Sequence, residues 1–299
     1  MTRKGIVLAG GTGSRLWPIT KAISKQLLPI GSVPMIYYPL SALMLSGIKE
    51  FLLISTPHDL PMFENLLGDG EHLGISIKYA VQDKPDGIAK ALIIAEQFLD
   101  GHTSALVLGD NIFYGAHFSG VVQSAYWREW GATVFAYWVD DPSQYGVVEV
   151  DANDKPIRLV EKPKDTISNF AVTGLYFYDE HAPDYARKLT PSARGELEIT
   201  DLNKVYLERG ELYVDFLTRG TAWLDTGSME TMLQASNFVH ALESRQGLRI
   251  ACLVEVAYRK GFIDIHQLDR LATALEKSSY GKYLKQIVFE TNNPSRARP

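Results

Sequence analysis

One cysteine, Cys252, stands in the whole chain, so no internal disulfide can form and no CxxC pair exists for a zinc or redox site. It reads as a small core residue. The seven histidines are scattered, with no HExxH or comparable ligand spacing, which removes a zinc centre and a histidine triad from consideration. Long apolar runs are missing as well. The first is only Ile6 to Ala9, short of the ~7–15 residues of a secretory signal core, and no stretch approaches the ~18 residues of a membrane helix. The expectation is a cytoplasmic protein without a membrane partner. Net positive charge is absent, at −5 over 299 residues, which argues against nucleic acid or an anionic membrane as partner. A polyanionic ligand would have to be gathered by local cations. No Pro/Gly/Ser linker, low-complexity run or internal repeat divides the chain. Its length suits one large α/β domain, with or without an appendage.

What is present begins at the N-terminus. The apolar strand Gly5–Ala9 runs into Gly10-Gly11-Thr12-Gly13, followed by Ser14, Arg15 and, further on, Lys25. Three glycines in four residues free the backbone for positive φ and let its N–H groups approach phosphate oxygens. Two better-known glycine motifs fail: no Gly-Lys-Ser/Thr completes a P-loop, and the third glycine of GxGxxG is Leu16. A tight turn without a ligand is the alternative, and Arg15 and Lys25 turn the reading toward a polyphosphate cradle.

Strand and helix signals alternate through the first half. Gly5–Ala9, Phe51–Ser55, Ile75–Val81, Ala105–Leu108 and Thr133–Val139 read as strands, with helices at Pro34–Ser46, Pro61–Leu67, Ile88–Phe98 and Phe118–Trp127. This order predicts a mainly parallel sheet with helices on both faces, whose ligands collect beyond the carboxyl ends of the strands. After Val139 the pieces shorten and look antiparallel: Gly146–Asp151, Ile157–Glu161, Ala171–Tyr178 and Leu212–Phe216, with helices near Glu180–Lys188 and Leu197–Glu208. A helix over Ser228–Ser244 offers Met229, Met232, Leu233, Val239 and Leu242 as an apolar face, a small helical appendage follows from Asp264 to Phe289, and a polar frayed tail closes the chain from Asn292.

Two aspartates fall at loop positions suited to chemistry. Asp110 ends the run Ala105–Leu108, and Asp225 lies in Trp223-Leu224-Asp225-Thr226-Gly227 before the Ser228 helix. Two carboxylates with phosphate oxygens suit Mg²⁺. Each aspartate also has an ordinary role available, Asp110 as a turn cap with Asn111 and Asp225 as a cap of the following helix. Trp223 could close a pocket or sit in the core. Glu161 could accept two hydroxyl hydrogen bonds or pair with Arg158 or Lys162. The loop Val81–Ile88 reads as an ordinary strand-to-helix connection, although its Gln82 amide can donate and accept at once.

GGTGSRLWP with KQLLPI, together with PMIYYPLSALMLSGI, VQDKPDGIAKA, LVLGDNIFYG, YGVVE, EKP, VTGLYFYD, SARGELEITD and WLDTG, resembles the sugar nucleotidyltransferases (sugar-1-phosphate pyrophosphorylases) from about Lys4 to about Val288. Within that superfamily the chain looks like the glucose-1-phosphate thymidylyltransferases. Ser14 departs from the family's usual Thr and keeps the hydroxyl. The resemblance implies an α/β fold with a Rossmann-like, mainly parallel sheet flanked by helices, an inserted sugar-binding portion and a small C-terminal helical appendage. On that reading residues 1–245 form the nucleotidyltransferase domain, with nucleotide binding over about 1–140 and sugar-phosphate binding over about 141–227, and residues 246–299 form the appendage and tail.

The implied activity is Mg²⁺-dependent transfer of a thymidylyl group from dTTP to glucose 1-phosphate, giving dTDP-glucose and pyrophosphate for deoxysugar (such as dTDP-rhamnose) and polysaccharide precursors, in a homotetramer. The implied nucleotide contacts are Leu8, Gly10, Gly11, Thr12, Gly13, Ser14, Arg15, Lys25, Gln26, Gln82, Pro85, Asp86, Gly87 and Asp110. The implied sugar-phosphate contacts are Asn111, Tyr145, Gly146, Glu161, Lys162, Val172, Thr173 and Trp223. Asp110 and Asp225 are the implied metal ligands, and Arg15, Lys25, Lys162 and Asp110 the catalytic set. Transfer to another hexose 1-phosphate, or of a uridylyl group, stays open. An inactive sugar-nucleotide-binding regulator is opposed by the joint presence of Arg15, Lys25, Asp110, Lys162 and Asp225, and an oxidoreductase by Leu16.

Overall fold

The computed structural model of the chain describes residues 2–11, 13–293 and 295. Its strands are β1 (Lys4–Ala9), β2 (Pro29–Ile30), β3 (Val33–Pro34), β4 (Glu50–Ser55), β5 (Ser76–Val81), β6 (Ser104–Leu108), β7 (Asn111–Tyr114), β8 (Ala132–Trp138), β9 (Gly146–Val150), β10 (Pro156–Glu161), β11 (Phe170–Tyr178), β12 (Leu212–Leu217) and β13 (Ala222–Asp225). Its helices are α1 (Tyr37–Ser46), α2 (Leu60–Leu67), α3 (Lys90–Ile94), α4 (Glu96–Leu99), α5 (Phe118–Tyr126), α6 (Ala182–Arg187), α7 (Ile199–Glu208), α8 (Met229–Gln246), α9 (Leu253–Arg259), α10 (Ile265–Ala274) and α11 (Ser279–Asn292).

The main sheet runs β10-β9-β11-β6-β1-β4-β5, with β8 beside β11 and β12 beside β8. Pairings β1–β4, β1–β6, β4–β5 and β8–β12 are parallel, whereas β11 is antiparallel to β6, β8 and β9. The expected sheet is therefore present, and the shorter pieces after Val139 extend it, β12 rejoining in parallel rather than antiparallel sense. Every residue of β1 is buried because helices cover both faces. Val7 and Ala9 pack with Leu43, Phe63 and Phe118 on one side, and Ile6 and Leu8 with Leu92 and Leu202 on the other.

One topological fact places the site. From β1 the chain goes outward to β4 and β5, then returns to lay β6 on the opposite side of β1. The connections leaving β1 and β6 therefore diverge, opening a crevice at their carboxyl ends, where ligands bind in open α/β sheets. The Gly10–Gly13 turn follows β1 and the Gly109-Asp110 turn follows β6.

Several elements differ from expectation. The predicted Ile88–Phe98 helix is two short segments, α3 and α4, meeting at Ala95. Helix α8 buries only Ala235 and Val239 fully, while Met229 and Leu233 are exposed. Met232 and Leu242 are partly buried against Val239, Ile30 and Tyr38. The expected C-terminal helices are present as α10 and α11, preceded by α9, and all three pack onto the core: Cys252, Leu253, Val254, Ala257, Leu268 and Leu284 share one apolar cluster with Leu43 and Phe51. Asn292 ends α11 rather than opening a tail, and the predicted tail beyond Asn293 lies, apart from Ser295, outside the described residues. Among the described residues no helix is long and apolar enough to cross a membrane.

Candidate active site

Three compartments meet at the crevice. The central one, about 300 Å³, is lined by Leu8, Gly10, Gly11, Gly13, Ser14, Arg15, Lys25, Gln26, Ile88, Leu108, Asp110 and Gly227. A smaller one of about 160 Å³ opens from it past Gly10, Gly11 and Ile88 to Gln82, Pro85, Gly87 and Glu196. A third, about 270 Å³, shares Arg15, Ile88, Leu108 and Asp110 with the centre and carries Asn111, Tyr145, Gly146, Glu161, Lys162, Val172, Trp223 and Asp225. Apart from Asp86 and Thr173, the predicted nucleotide residues that the structure describes line the central and smaller compartments and the predicted sugar-phosphate residues line the third, which meets the centre at Arg15 and Asp110. Thr12 lies outside the described residues.

The glycine turn has the conformation that its composition requires. Gly11 adopts φ 112° and Gly13 φ 58°, values that side-chain-bearing residues avoid. The space beside Gly13 is filled by Thr20, whose methyl carbon would stand 2.9 Å from a Cβ there and whose hydroxyl donates to the Gly13 carbonyl (2.8 Å). The turn is stapled by its own loop. Beneath it Gly227 presses on Arg15: a Cβ on Gly227 would come within 3.0 Å of the guanidinium.

The charged centre is built by β7 and β13, which form an antiparallel ribbon with Asp225 opposite Asn111. Thr226 fixes the ribbon's end by donating its hydroxyl (2.8 Å) and backbone N–H (3.3 Å) to the Asp110 carbonyl. Burial pushes the Asp110 carboxyl up, but the Lys25 ammonium lying directly against it and a hydrogen bond from Asn111 (3.0 Å) outweigh that and hold it below the usual carboxylate range. Asp225 goes the other way: burial first and the Asp110 charge second raise it, against weaker opposition from Lys25, Arg15 and the Gly227 N–H. The capping role for Asp225 is excluded, since α8 is capped by Ser228 and Thr231 in a reciprocal box. The Asp110–Asn111 contact exists beside the ion pair with Lys25.

Asn111 is committed inward. Its carbonyl oxygen accepts from Trp223 Nε1 (2.6 Å) and the Gly174 N–H (3.1 Å). A Cβ on Gly174 would lie 2.8 Å from the Asn111 carboxamide, so glycine is needed where β11 shifts register between Val172 and Tyr176. Trp223 is both core and wall, 8% exposed and packed against Tyr145 with ring centroids 5.0 Å apart. Lys162 sits at φ 44°, an unusual backbone for lysine, held by its N–H to the Tyr145 carbonyl (2.9 Å). Its ammonium is 3.9 Å from Glu161 Oε1, and Glu161 Oε2 accepts from Thr200 (2.6 Å).

Two predicted positions are corrected. Thr173 does not line the sugar compartment: Val172, Gly174 and Tyr176 do, and alternation along β11 turns the intervening side chain to the other face, where it is fully buried. Asp86 lies behind Gln82, accepting from its Nε2 (2.7 Å), and is absent from the base-end lining. Gly87 does adopt φ 109°, but the space beside it holds the Leu197 backbone, whose oxygen would be 2.3 Å from a Cβ. The residues missed by sequence reasoning lie mainly on this crossing strap: Arg194, Glu196, Glu198 and Thr200 line the sugar end. Gly227 was missed as well, and the quoted stretches SARGELEITD and WLDTG held the only signal for these residues.

Comparison with known proteins agrees with this geometry. The model of the family described as nucleotidyl transferase matches residues 4–241. A glucose-1-phosphate thymidylyltransferase of Xanthomonas campestris pv. campestris (strain B100) is 56% identical over 285 residues, covering 95% of this chain and 97% of its own. One from Mycobacterium tuberculosis (strain H37Rv) is 54% identical, covering 95% and 99%. A Bacillus anthracis structure, solved with sucrose and described as that of a candidate glucose-1-phosphate thymidylyltransferase, superposes with TM-score 0.73 at 42% identity, covering 80% of this chain and 96% of that one. A UDP-glucose pyrophosphorylase with bound UDP-glucose shares the fold at TM-score 0.72 and 24% identity, covering 81% and 100%.

Proposed function

Because this chain belongs to the nucleotidyl transferase family, among relatives named glucose-1-phosphate thymidylyltransferase, we propose that it transfers a thymidylyl group from dTTP to glucose 1-phosphate, releasing dTDP-glucose and pyrophosphate. The observation that carries this reading is the line of three compartments, the base end joined to the centre along Leu8, Gly10, Gly11 and Ile88 and the sugar end joined to it at Arg15 and Asp110. Base, polyphosphate and hexose phosphate need that order for one phosphate to attack another at the centre.

The nucleophile is a phosphate monoester with a second pKa near ~6, already ionised at neutral pH. A phosphate oxygen of the sugar bonds to the α-phosphorus, the bond from that phosphorus to the bridging oxygen breaks, and pyrophosphate leaves with the electron pair. No proton has to be removed, so positioning and charge neutralisation are the protein's task. Arg15 borders both the central and sugar compartments, which lets its fork contact the phosphate under attack. Lys25 faces the triphosphate and its departing pyrophosphate, Lys162 the sugar phosphate, and Glu161 the hexose hydroxyls. Gln82 reads the base edge. Residues about 1–140 serve the nucleotide and about 141–227 the sugar phosphate.

The donor set at the centre fits Mg²⁺: two hard carboxylates side by side, with Asp225 short of compensating charge. Asp110 and Asp225 would hold the ion. Bound there, it would neutralise phosphate charge. The exposed Trp127, Trp130 and Trp138, at 75%, 67% and 62%, are apolar surface of the kind subunit contacts cover, in keeping with a homotetramer, and a nucleoside triphosphate substrate is in keeping with a cytoplasmic reaction. Pyrophosphate release across a grid of nucleoside triphosphates and sugar 1-phosphates tests the reading. dTTP with glucose 1-phosphate should be the best or near-best pair, and turnover with ATP or GTP but little with dTTP would overturn the base assignment.

A further inference from the structure

We propose that Asp86 is a positioning residue that sets base selectivity by fixing which end of the Gln82 amide meets the base; the inference rests on the nucleotidyl transfer reading above and deepens it. Gln82 is 7% exposed, and its Nε2 donates to Asp86 Oδ1 (2.7 Å) and to the Gly87 carbonyl (3.4 Å). A carboxylate accepts and does not donate. Turning the amide over would set the buried Gln82 oxygen against the Asp86 carboxylate, which is 37% exposed and 4.0 Å from Lys90; two acceptors would then face each other and the hydrogen bond would be lost. The amide is therefore held one way round.

Held so, Gln82 turns its Oε1 toward the glycine turn. That atom lies 3.3 Å from where a Gly10 Cβ would stand, in the compartment formed with Gly11, Pro85 and Gly87. No donor among the described residues hydrogen-bonds to it. Asp86 is itself fixed: its N–H donates to the Lys84 carbonyl (2.8 Å), and its carbonyl accepts from the Leu197 N–H (2.8 Å). Its side chain contributes nothing to the compartment lining.

The chemical consequence is a lone acceptor at the pairing edge of the base. Thymine and uracil present an N–H at ring position 3 and complement it. Cytosine has the same ring size but a lone pair at that position, so two acceptors would face each other. A site built around a hydrogen bond rejects the analogue that leaves it unmade far better than a pocket rejects by shape. Selection of an imide over cytosine thus depends on Asp86.

The test compares kcat/KM for dTTP and dCTP, with glucose 1-phosphate, in the unaltered protein, Asp86→Ala and Asp86→Asn. The unaltered protein should favour dTTP. Both variants should lower that preference at least about tenfold, the scale of one hydrogen bond to a charged group. Asn suffices because a carboxamide can donate or accept and so tolerates either orientation of Gln82. In a Gln82→Ala background, Asp86→Ala should leave the dTTP/dCTP ratio unchanged, since Asp86 acts through Gln82. Equal losses with both triphosphates, or an unchanged ratio in the single variants, would overturn the proposal while leaving the transferase reading intact. Failure of the unaltered protein to use dTTP would instead overturn the reading on which it rests. Asp86→Asn decides the matter if Asp86→Ala does not fold, and calorimetric binding of the two triphosphates reports the same ratio without turnover.

Discussion

Replacing Asp225 by Asn keeps the side chain's shape and removes one charge from the centre of the site. In the free protein the Asp225 carboxyl is raised by burial and by the neighbouring Asp110 charge, so its ionisation opposes folding. The sign follows from linkage: a carboxyl whose folded value exceeds its unfolded value loses stability as pH rises from the ordinary carboxylate range through the raised folded value. Above that window the loss is complete. Two like charges several ångströms apart, in a medium of effective dielectric near ~20 and with Lys25 and Arg15 alongside, repel by on the order of 1 kcal/mol. Asp225→Asn should therefore melt about 2 °C higher than the unaltered protein at neutral pH. The difference should shrink toward about pH 4, as the carboxyl becomes protonated first in the folded chain and then in the unfolded one. Turnover should nonetheless fall at least about a hundredfold, as when one preorganised electrostatic contact is deleted. Melting curves from about pH 4 to 8 and pyrophosphate-release kinetics on one preparation are the assays. A variant that melts lower at neutral pH would show that the Asp225 charge does not oppose folding, and one that keeps near-normal turnover would remove Asp225 from the catalytic centre.

Other substitutions probe the supports of the site. Thr226→Val removes the hydroxyl that holds the Asp110 carbonyl (2.8 Å); stability should drop by about 1 kcal/mol while kcat falls about tenfold or more as the two carboxylates lose their register, and equal retention of both would dismiss the ribbon's role. Gly87→Ala forces a Cβ to within 2.3 Å of the Leu197 carbonyl at φ 109°, so it should destabilise by more than about 2 kcal/mol and raise KM for the triphosphate, read by chemical denaturation and initial rates. Burial pushes the Cys252 thiol up to about 12, so a thiol reagent at pH 8 should modify the native protein at less than about a hundredth of the rate seen after unfolding.

The fold was legible wherever burial covers both faces of an element. Strands such as Gly5–Ala9 and Ala105–Leu108 announce themselves as apolar runs because helices pack above and below them. The four-residue strands β7 and β13 carry no such signal: Asn111–Tyr114 and Ala222–Asp225 are too short for alternation to register, although they bring the two aspartates together. Helix α9 was missed because its seven residues, Leu253–Arg259, span under two turns and begin inside the core. The site's own residues were legible where a local motif holds them, as with the glycine turn, Arg15, Asp110 and Lys162. The Leu197 crossing was not, because a contact between Gly87 and a segment some 110 residues later leaves no periodic trace in either stretch. Thr173 failed for a related reason, since a motif names a position and only strand alternation says which way it points.

On the proposed reading transfer is direct, between two substrates that meet at Arg15 and Asp110. Incubation with dTTP labelled at its α-phosphorus tests it in one measurement. With glucose 1-phosphate present, the label should move into dTDP-glucose as pyrophosphate is released, and with the sugar phosphate omitted it should stay in dTTP, with none bound to the protein. Label that remains in dTTP when both substrates are present, or that attaches covalently to the protein without the sugar phosphate, would contradict the account.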